Sequence, residues 1–373
     1  MNNFLFSSES VACGHPDKIA DQISDSIVDN CLKADPESSV AAETLVSKNL
    51  IAIAGEISTH AELNYRNIVC DVLKEAGILK DMQQMPVVLN IIKKQSSEIA
   101  KAALKGASDQ AVVFGYATDE TLEYMPLPIQ LAHTIIKNLQ VARQTHRYPF
   151  LLADAKVLVT CQYESEGNPT RAHSVVLSSQ HSENVSQEQL QEALRSIISE
   201  SIPENYLDSD THYFLNPAGT FISGGSEADT GLTGRKQAAD TYGGYAKDGG
   251  GPYSGKDPSK IDRSAAYMAR YMAKNIVAAH LARRCEVQLA YAIGIEEPIA
   301  IDINTFGTSA LSKKELTQIC TQVFDLSAHG MVSQLHLKRP IYMKTSIGGH
   351  FGRSDPDFTW EKTDKKEELM TNL

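Results

Sequence analysis

A glycine-rich segment at residues 249–263 combines bare backbone with cationic side chains. It reads GGGPYSGKDPSKIDR, and a helical pattern directly follows its two lysines and its arginine. Backbone N–H groups and cations before a helix start are a usual combination for binding phosphate. From Gly250 to Lys256 the segment nearly matches a P-loop, but Asp257 replaces the Ser or Thr that would bind magnesium, and no buried strand precedes it. The segment therefore predicts a polyanion site that is not a P-loop, with a solvated flexible loop as the alternative.

A second glycine-rich segment, residues 224–244, lies just upstream. Its sequence, GGSEADTGLTGRKQAADTYGG, contains Asp229, Arg235 and Lys236. Two basic glycine-rich loops so close in the chain favour one shared polyanion site. Asp262 stands at the start of the following helical run, where it could cap the helix or bind a hard cation, and its spacing favours the cap.

The N-terminal segment ESVACGHPDKIADQ brings a histidine and a carboxylate to a predicted helix start. Pro16 suits the first helical position, so His15 and Asp17 place a proton donor beside an oxygen ligand. Aspartates then recur at every fourth residue: Asp17, Asp21, Asp25 and Asp29. Because like charges at this spacing repel one another, we expect the last three to form a solvated face of the helix.

Asp154 and Lys156, in the stretch ADAKVLVT, stand two residues apart at the start of a predicted strand. They therefore share one face of the strand, and in isolation such a pair indicates a surface ion pair. The stretches GASDQ (106–110) and GHFGR (349–353) indicate only loops. No part of the sequence resembles a Ser-His-Asp or Cys-His nucleophile arrangement.

The elements that must position these residues recur three times in the order helix, hairpin, helix, strand. The first copy is predicted at 19–32, 39–47 and 50–58 with a turn at Lys48–Asn49, near 61–76, and at 87–94. The second is predicted at 128–144, 156–164 and 171–179, near 186–200, and at 212–217. The third is predicted at 264–284, 286–294 and 298–306, near 312–325, and at 341–346. Hairpin-based sheets covered by helices on one face predict a two-layer α+β fold and disfavour a doubly wound parallel sheet.

Composition and charge exclude several classes of protein. The 373 residues carry a formal charge of −11, yet Arg235 to Arg284 contain ten Lys or Arg against four Asp or Glu, a local charge of +6. An acidic chain with one basic segment suits a small polyanion rather than nucleic acid. The six scattered cysteines contain no C-x-x-C pair, which disfavours zinc and a disulfide framework. Without a signal peptide or a long apolar run, the chain is predicted to be cytoplasmic and not a membrane protein.

Six motifs together resemble the S-adenosylmethionine synthetase (methionine adenosyltransferase) family. They are GHPDKIADQISD, GASDQ with FGYAT, DAK with VT, TGLTGRK with DTYGG, GGGPYSGKDPSKIDRSAAY and GHFGR, in order over nearly the whole chain. The resemblance implies three α+β repeats about a pseudo-threefold axis, which we place at 1–97, 106–222 and 224–361 with segments interleaved across these boundaries. It also implies a homodimer with active sites at the interface, commonly paired into a homotetramer.

The family's reaction joins the methionine sulfur to C5′ of ATP, expels triphosphate and cleaves it to pyrophosphate and phosphate. A neutral sulfur needs no general base, so catalysis depends on alignment and on charge stabilisation. The resemblance implies catalytic roles for His15, Lys156, Arg235 and Lys256. It implies ATP binding by these four together with Asp154, Phe221, Asp229, Lys236 and Pro252. It implies methionine binding by Glu56, Gln95, Asp109, Asp229 and Lys260.

The resemblance also implies two magnesium ions, held by Asp17 and Asp262, and a potassium ion held by Glu43. Four features depart from the family pattern: Cys13, Thr220, Pro252 and a shortened segment between Gln95 and GASDQ. The shortened segment would alter gating, because lids often set turnover, so we expect an active but kinetically altered synthetase. A tripolyphosphate hydrolase and a non-catalytic regulatory subunit are the alternatives.

Overall fold

The computed structural model describes residues 3–79, 85–94 and 105–373. The strands are β1 Phe4–Val11, β2 Ser39–Ser47, β3 Leu50–Ser58, β4 Val87–Lys93, β5 Ala111–Thr118, β6 Leu151–Ser165, β7 Asn168–His181, β8 His212–Leu215, β9 Gly231–Leu232, β10 Arg284–Tyr291 and β11 Ala300–Asn304. The helices are α1 Pro16–Ala34, α2 Tyr65–Glu75, α3 Leu127–Gln144, α4 Gln187–Ser201, α5 Gln237–Asp240, α6 Ile261–Ala278, α7 Lys313–Val323, α8 Ala328–Gln334 and α9 Lys366–Thr371. Most predicted helices and hairpins lie within a few residues of these bounds.

The strands form three sheets in the described part of the chain. Their orders are β9-β2-β3-β4, β1-β6-β7-β8 and β5-β10-β11. The neighbours pair antiparallel, except that β4 and β8 each lie parallel to the second strand of the preceding hairpin. With helices packed against these sheets, the molecule has the α+β class that the hairpin pattern predicts.

Each sheet includes one strand from a distant part of the sequence. β1 pairs with β6, β5 with β10, and β9 with β2. Each of these added strands lies antiparallel beside the first strand of a hairpin, so the three sheets share one local plan. The domain boundaries that we drew along the sequence stay a prediction, and the sheets are not contiguous in the chain.

The sequence specifies several helix ends through local hydrogen bonds. Ser186 before α4 and Ser312 before α7 each form a capping box with the Gln or Glu three residues later. α1 begins at Pro16, whose fixed φ suits the first turn. α6 begins three residues before its predicted start and ends at Ala278, because His280 adopts a positive φ that turns the chain toward β10.

The strand predicted at 341–346 is wrong. Residues Met343–Ser346 form a 3-10 turn, and the third sheet ends at β11. The backbone N–H groups of Tyr342 and Met343 donate to Asp29 of α1 and therefore do not enter a strand ladder. A long-range contact with a side chain decides this segment, and no local pattern announces it.

The largest core cluster surrounds α1 and α6, and most residues of these two helices are buried. A smaller cluster lies between the second sheet and the helices α3 and α4. All six cysteines are buried. Among the described residues, no helix has the length and apolar character needed to span a membrane.

Candidate active site

The start of α1 holds His15 and Asp17 against the second sheet. The N–H of Gly14 donates to the carbonyl of Ala153 at 3.1 Å, which joins the turn before α1 to the start of β6. A side chain at Gly14 would collide with Ala153, so only glycine allows this approach. His15 is the N-cap of α1, and its Nδ1 accepts the N–H of Asp17 at 3.2 Å.

The second glycine-rich segment closes over this helix start. Lys236 Nζ lies 2.5 Å from Asp17 Oδ2, Arg235 lies 3.7 Å from Asp17 Oδ1, and the N–H of Leu232 donates to the same Oδ1 at 2.9 Å. Burial acts to raise the pKa of Asp17, but the hydrogen bonds from Lys236 and Leu232 outweigh it and hold that pKa below its usual value. Burial, followed by the charge of Lys236, lowers the pKa of His15 to about 4. The imidazole is therefore neutral at pH 7.

Asp154 and Phe221 lie beside this group. The N–H of Gly225 donates to Asp154 Oδ2 at 2.7 Å, and burial raises the pKa of Asp154. Asp229 follows in the same turn, because its N–H donates to the carbonyl of Gly225. Phe221 packs near Gly224 and is held by backbone and ring contacts with His181.

Asp154 and Lys156 do not form the surface ion pair that their spacing predicts in isolation. Asp154 is buried, whereas Lys156 is exposed and pairs with Glu9 of β1 at 2.7 Å. The pairing of β6 with β7 has a register irregularity between Leu151 and Ala155, next to these two residues. Glu9 is a site neighbour that the sequence reading missed, since strand pairing over 147 residues leaves no local signal.

The first glycine-rich segment forms a second ion pair of the same kind. Lys256 Nζ lies 2.6 Å from Asp262 Oδ2. Asp262 stands in the first turn of α6, but the N-cap is Lys260 and no side chain caps the helix, so the predicted capping role is wrong. Lys260 lies 3.5 Å from Asp257 and donates to Ser39 at 3.0 Å. Thus both carboxylates expected to bind magnesium hold a lysine.

The two glycine-rich loops pack against each other. Gln237 Nε2 donates to the carbonyl of Gly251 at 3.1 Å, and Pro252 contacts Gly234 so closely that a Cβ there would clash. Gly255 has a φ of +81°, and a Cβ added there would collide with the carbonyl oxygen of Ala42, so the position requires glycine. The two basic loops that the sequence assigned to one shared site are therefore in contact with each other.

Glu43 and Glu56 lie on one face of the first sheet. Ala41 pairs with Glu56 across β2 and β3, and the backbone of Ala41 also bridges Lys256. Both glutamates are exposed. Asp109 is exposed beside Ser108, whose hydroxyl donates to the carbonyl of Ser259. Gln95 and most of the shortened segment lie outside the described residues.

The predicted methionine residues fall in two places. Glu56, Asp109 and Lys260 surround the first glycine-rich segment, whereas Asp229 lies near His15 and Asp154. In the described part of the chain, no hydrogen bond joins any two of these four residues. Direct contacts join Lys236 to Asp17 and one glycine-rich loop to the other, whereas the predicted methionine residues have no such contact with one another.

The solvated face predicted for α1 is wrong. Asp21 and Asp25 are fully buried, and Asp29 is only partly exposed. Asp21 and Asp240 flank Lys18 at 2.9 and 2.6 Å. The four-residue spacing of the aspartates correctly predicts that they share one face of α1, but that face packs against the protein interior. The groups that bind these aspartates come from residues 232–263 and 342–346. Partners so distant in sequence cannot be read from a helical pattern.

Two of the departures from the family pattern have clear surroundings. Cys13 is buried, and its Sγ accepts from Arg143 at 3.5 Å. Pro252 fills the space over Gly234, as described above. Nothing in the structure explains Thr220, which is exposed.

A cavity of about 820 Å³ lies beside the first glycine-rich segment. It is bounded by Ser39, Ser58, Gly106, residues 257–259 and the side of α8. None of the residues predicted to bind ATP, methionine or metal lines it.

Cations paired with carboxylates beside two touching glycine-rich loops suit the binding of a molecule rich in phosphate. Domain models of S-adenosylmethionine synthetase match the chain throughout: the N-terminal domain over residues 3–97, the central domain over 104–221 and the C-terminal domain over 223–362. The chain belongs to this family and is a methionine adenosyltransferase. The family, the fold class and the activity predicted from the motifs are thereby confirmed. The family acts on ATP and methionine and generally uses Mg²⁺ and K⁺.

Proposed function

We propose that His15, Lys156, Arg235, Lys236 and Lys256 form the cradle for the triphosphate of ATP in this synthetase. The observation that carries the proposal is the pairing of Lys236 with Asp17 and of Lys256 with Asp262 on two loops that touch. A triphosphate would take both lysines away from the carboxylates, and cations fixed before the reaction stabilise the charge that grows on the leaving group.

The tautomer of His15 supports a donor role at the leaving oxygen. Its Nδ1 accepts the N–H of Asp17, so the proton of the neutral ring lies on Nε2. An imidazole fixed in this way donates one hydrogen bond without adding a full charge. We assign this Nε2–H to the bridging oxygen between the ribose and the triphosphate, with Asp154 and Phe221 on the adenosine side.

Asp17 and Asp262 fit magnesium. Each presents carboxylate oxygen where a cation already lies within 2.6 Å. Within residues 3–79, 85–94 and 105–373, no group of three or more His, Cys, Asp or Glu side chains is placed to hold a metal ion by itself. Such a site agrees with magnesium, which is usually held by one or two carboxylates together with substrate phosphates and water. When bound there, Mg²⁺ would neutralise phosphate charge and orient the triphosphate.

Glu43 fits potassium less well. It is a single exposed carboxylate on the first sheet, whereas a large cation needs several oxygen ligands. The potassium role of Glu43 therefore depends on the family resemblance alone. We keep it as a proposal and derive no step from it.

We further propose that the active enzyme is a homodimer, with Glu56, Asp109 and Lys260 of one protomer and Asp229 of its partner at one methionine site. The split positions of these residues in one protomer support this arrangement. The face of the first sheet that carries Glu43 and Glu56 also exposes Val87, Leu89 and Ile91, which are 59%, 48% and 63% accessible. An apolar face this exposed is typical of a surface that a second copy covers. Pairing of dimers into a tetramer, and residence in the cytoplasm, remain predictions.

The test is a stoichiometric assay of the purified chain with ATP, methionine, magnesium and potassium. We expect equal amounts of S-adenosylmethionine, pyrophosphate and phosphate, and their loss in Lys156→Ala. Phosphate without the sulfonium product would favour the tripolyphosphate hydrolase, and no product from ATP would favour the regulatory subunit. Sedimentation of Ile91→Arg tests the dimer, which should dissociate. A monomeric wild-type protein with full activity would refute the interface.

A further inference from the structure

The aspartates of α1 form a ladder in which each carboxylate holds a different distant segment. Asp17, Asp21, Asp25 and Asp29 accept the backbone N–H groups of Leu232, Gly234, Gly255 and Tyr342, at 2.9, 2.8, 2.8 and 2.8 Å respectively. We call these four residues the aspartate ladder. Since they stand four residues apart, they lie one above another along one side of the helix.

Three rungs of the aspartate ladder hold the glycine-rich loops. Gly234 immediately precedes Arg235 and Lys236, Leu232 lies two residues before Gly234, and Gly255 immediately precedes Lys256. The fourth rung, Asp29, holds the backbone of Tyr342 and Met343. No residue of the proposed site lies in that last segment.

The second oxygen of each ladder carboxylate faces a donor group or a cation, and Oδ2 of Asp21 does so through its charge contact with Lys18 without a hydrogen bond. On the second oxygen, Asp17 meets Lys236, Asp21 meets Lys18 at 2.9 Å and Asp29 meets the N–H of Met343 at 2.9 Å. Asp25 likewise binds the Arg263 guanidinium and the Ser346 hydroxyl. An asparagine offers one acceptor and one donor group, so at any rung it would turn a donor toward a donor. This requirement explains why the repeat consists of aspartate rather than asparagine.

We propose that Asp21 is a positioning residue for triphosphate binding, which fixes the Gly234 backbone and thereby the cations Arg235 and Lys236. The inference rests on the proposed function, because Arg235 and Lys236, which Asp21 would position, belong to the proposed triphosphate cradle. Asp21 is buried and does not itself face the substrate. It acts by removing the freedom of a loop whose next two side chains bind phosphate, and fixed cations bind more tightly than mobile ones.

Asp21→Asn and Asp29→Asn form a matched pair of test variants. Both keep the size of the side chain, lie on the same helix and turn an amide donor toward a group that faced a carboxylate oxygen, which is the Lys18 ammonium at Asp21 and a backbone N–H at Asp29. They differ in the segment that they hold, since Gly234 leads to cations and Tyr342 does not. Asp21→Ala is a second variant without that amide donor, and it leaves Lys18 and Asp240 as a charge-matched pair.

The measurement is calorimetric binding of tripolyphosphate with Mg²⁺ to the full chain at pH 8, above the pKa of about 7 to which burial raises Asp29. Melting temperatures and the KM values for ATP and methionine are measured alongside. We expect Asp21→Asn and Asp21→Ala to raise the Kd for tripolyphosphate and the KM for ATP by at least about tenfold. Asp29→Asn should lower the melting temperature by a few degrees, as the Asp21 variants do. It should, however, change the Kd for tripolyphosphate by less than about twofold.

Three outcomes would overturn the inference. Unchanged tripolyphosphate affinity in both Asp21 variants would show that Asp21 does not position the cations. An equal loss in Asp29→Asn would show that the aspartate ladder acts only through general stability. Failure of the wild-type chain to bind tripolyphosphate would instead refute the proposed cradle, and the inference with it.

Discussion

The ion pairs of the candidate site and those of the core use the same chemical groups in different surroundings. The site pairs are Lys236 with Asp17, Lys256 with Asp262 and Lys156 with Glu9, and their lysines are 17%, 22% and 49% accessible. The core pairs are Arg263 with Asp25, Arg270 with Glu361 and Lys18 with Asp240, and their cations are at most 3% accessible.

The number of partners separates the two sets. Arg270 donates to Glu361 and to the carbonyls of Tyr116, Glu123 and Tyr124. Lys256, by contrast, donates its ammonium group to one carboxylate. A buried cation needs every donor satisfied because no water replaces a lost partner, whereas a partly exposed lysine exchanges its partner at small cost. The core pairs therefore act as fixed clamps, and the site pairs can be released to a ligand.

The largest effect should follow from breaking a buried pair. Arg263→Ala leaves the Asp25 carboxylate buried without its cation, and we expect a loss of about 3–5 kcal/mol in the free energy of unfolding. Denaturant unfolding measures it. The matched control is Arg283→Ala, because Arg283 is 65% accessible in its pair with Asp119 and should cost less than about 1 kcal/mol. Equal losses in both variants would remove the distinction between the two sets.

An exchangeable pair should affect activity far more than stability. We expect Lys256→Ala to lower kcat by about 10²–10³-fold, since it removes one preorganised partner of the leaving group, with stability within about 1 kcal/mol of wild type. Steady-state kinetics and denaturant unfolding measure the two effects. Lys247→Ala is the control, since Lys247 precedes the same loop and pairs with Glu286 outside the site. A large loss of unfolding free energy with unchanged kcat would show that the pair of Lys256 with Asp262 is a fixed structural pair like those of the core.

Acid should weaken the core through its buried histidines. Burial, followed by the charges of Arg353 and Lys18, lowers the pKa of His133 to about 3. Because the unfolded histidine takes up its proton near pH 6.5, stability is full above that pH and is lost as pH falls toward 3. Between pH 7 and 5 this costs about 2 kcal/mol. His133→Gln should show a correspondingly smaller loss of unfolding free energy over that range, and an unchanged slope would contradict it.

The smallest effect should come from an exposed pair outside the site. Lys313 and Asp302 are 59% and 47% accessible. Lys313→Ala should change the free energy of unfolding by less than about 0.5 kcal/mol, because water and salt screen such pairs. Thermal or denaturant unfolding at low and high salt measures it. A salt-dependent loss well above this value would show that exposure alone does not separate clamps from exchangeable pairs.

The sequence predicted most of the secondary structure, because those patterns are local. In the hairpin at residues 39–58, buried and more exposed positions largely alternate along each strand. A capping residue such as Ser312 marks a helix start within four residues of the chain. The strand expected at 341–346 failed since Asp29 takes the hydrogen bonds that a strand would need. Likewise, the capping role of Asp262 failed because Asp262 is the second residue of α6, whose N-cap is Lys260.

The site was predictable as a list of residues but not as an arrangement. Motifs identified His15, Lys236 and Lys256 without showing that Lys236 meets Asp17 or that the two loops touch. Glu9 and Asp240 carry no local signal, since their partners Lys156 and Lys18 lie on another strand and another helix. Gln95 stays a prediction, because it lies outside the described residues.

By itself, the sequence determined the family, the repeated α+β plan and the chemical types gathered for a triphosphate, because motifs and periodicity act over short stretches of chain. Only the tertiary structure decided which way the aspartate ladder faces. The spacing of Asp17, Asp21, Asp25 and Asp29 fixes a common face on α1, but solvent and a buried contact are both compatible with that spacing. Donors more than 200 residues away along the chain settle the choice, since Gly234 and Gly255 bring N–H groups that a carboxylate can accept.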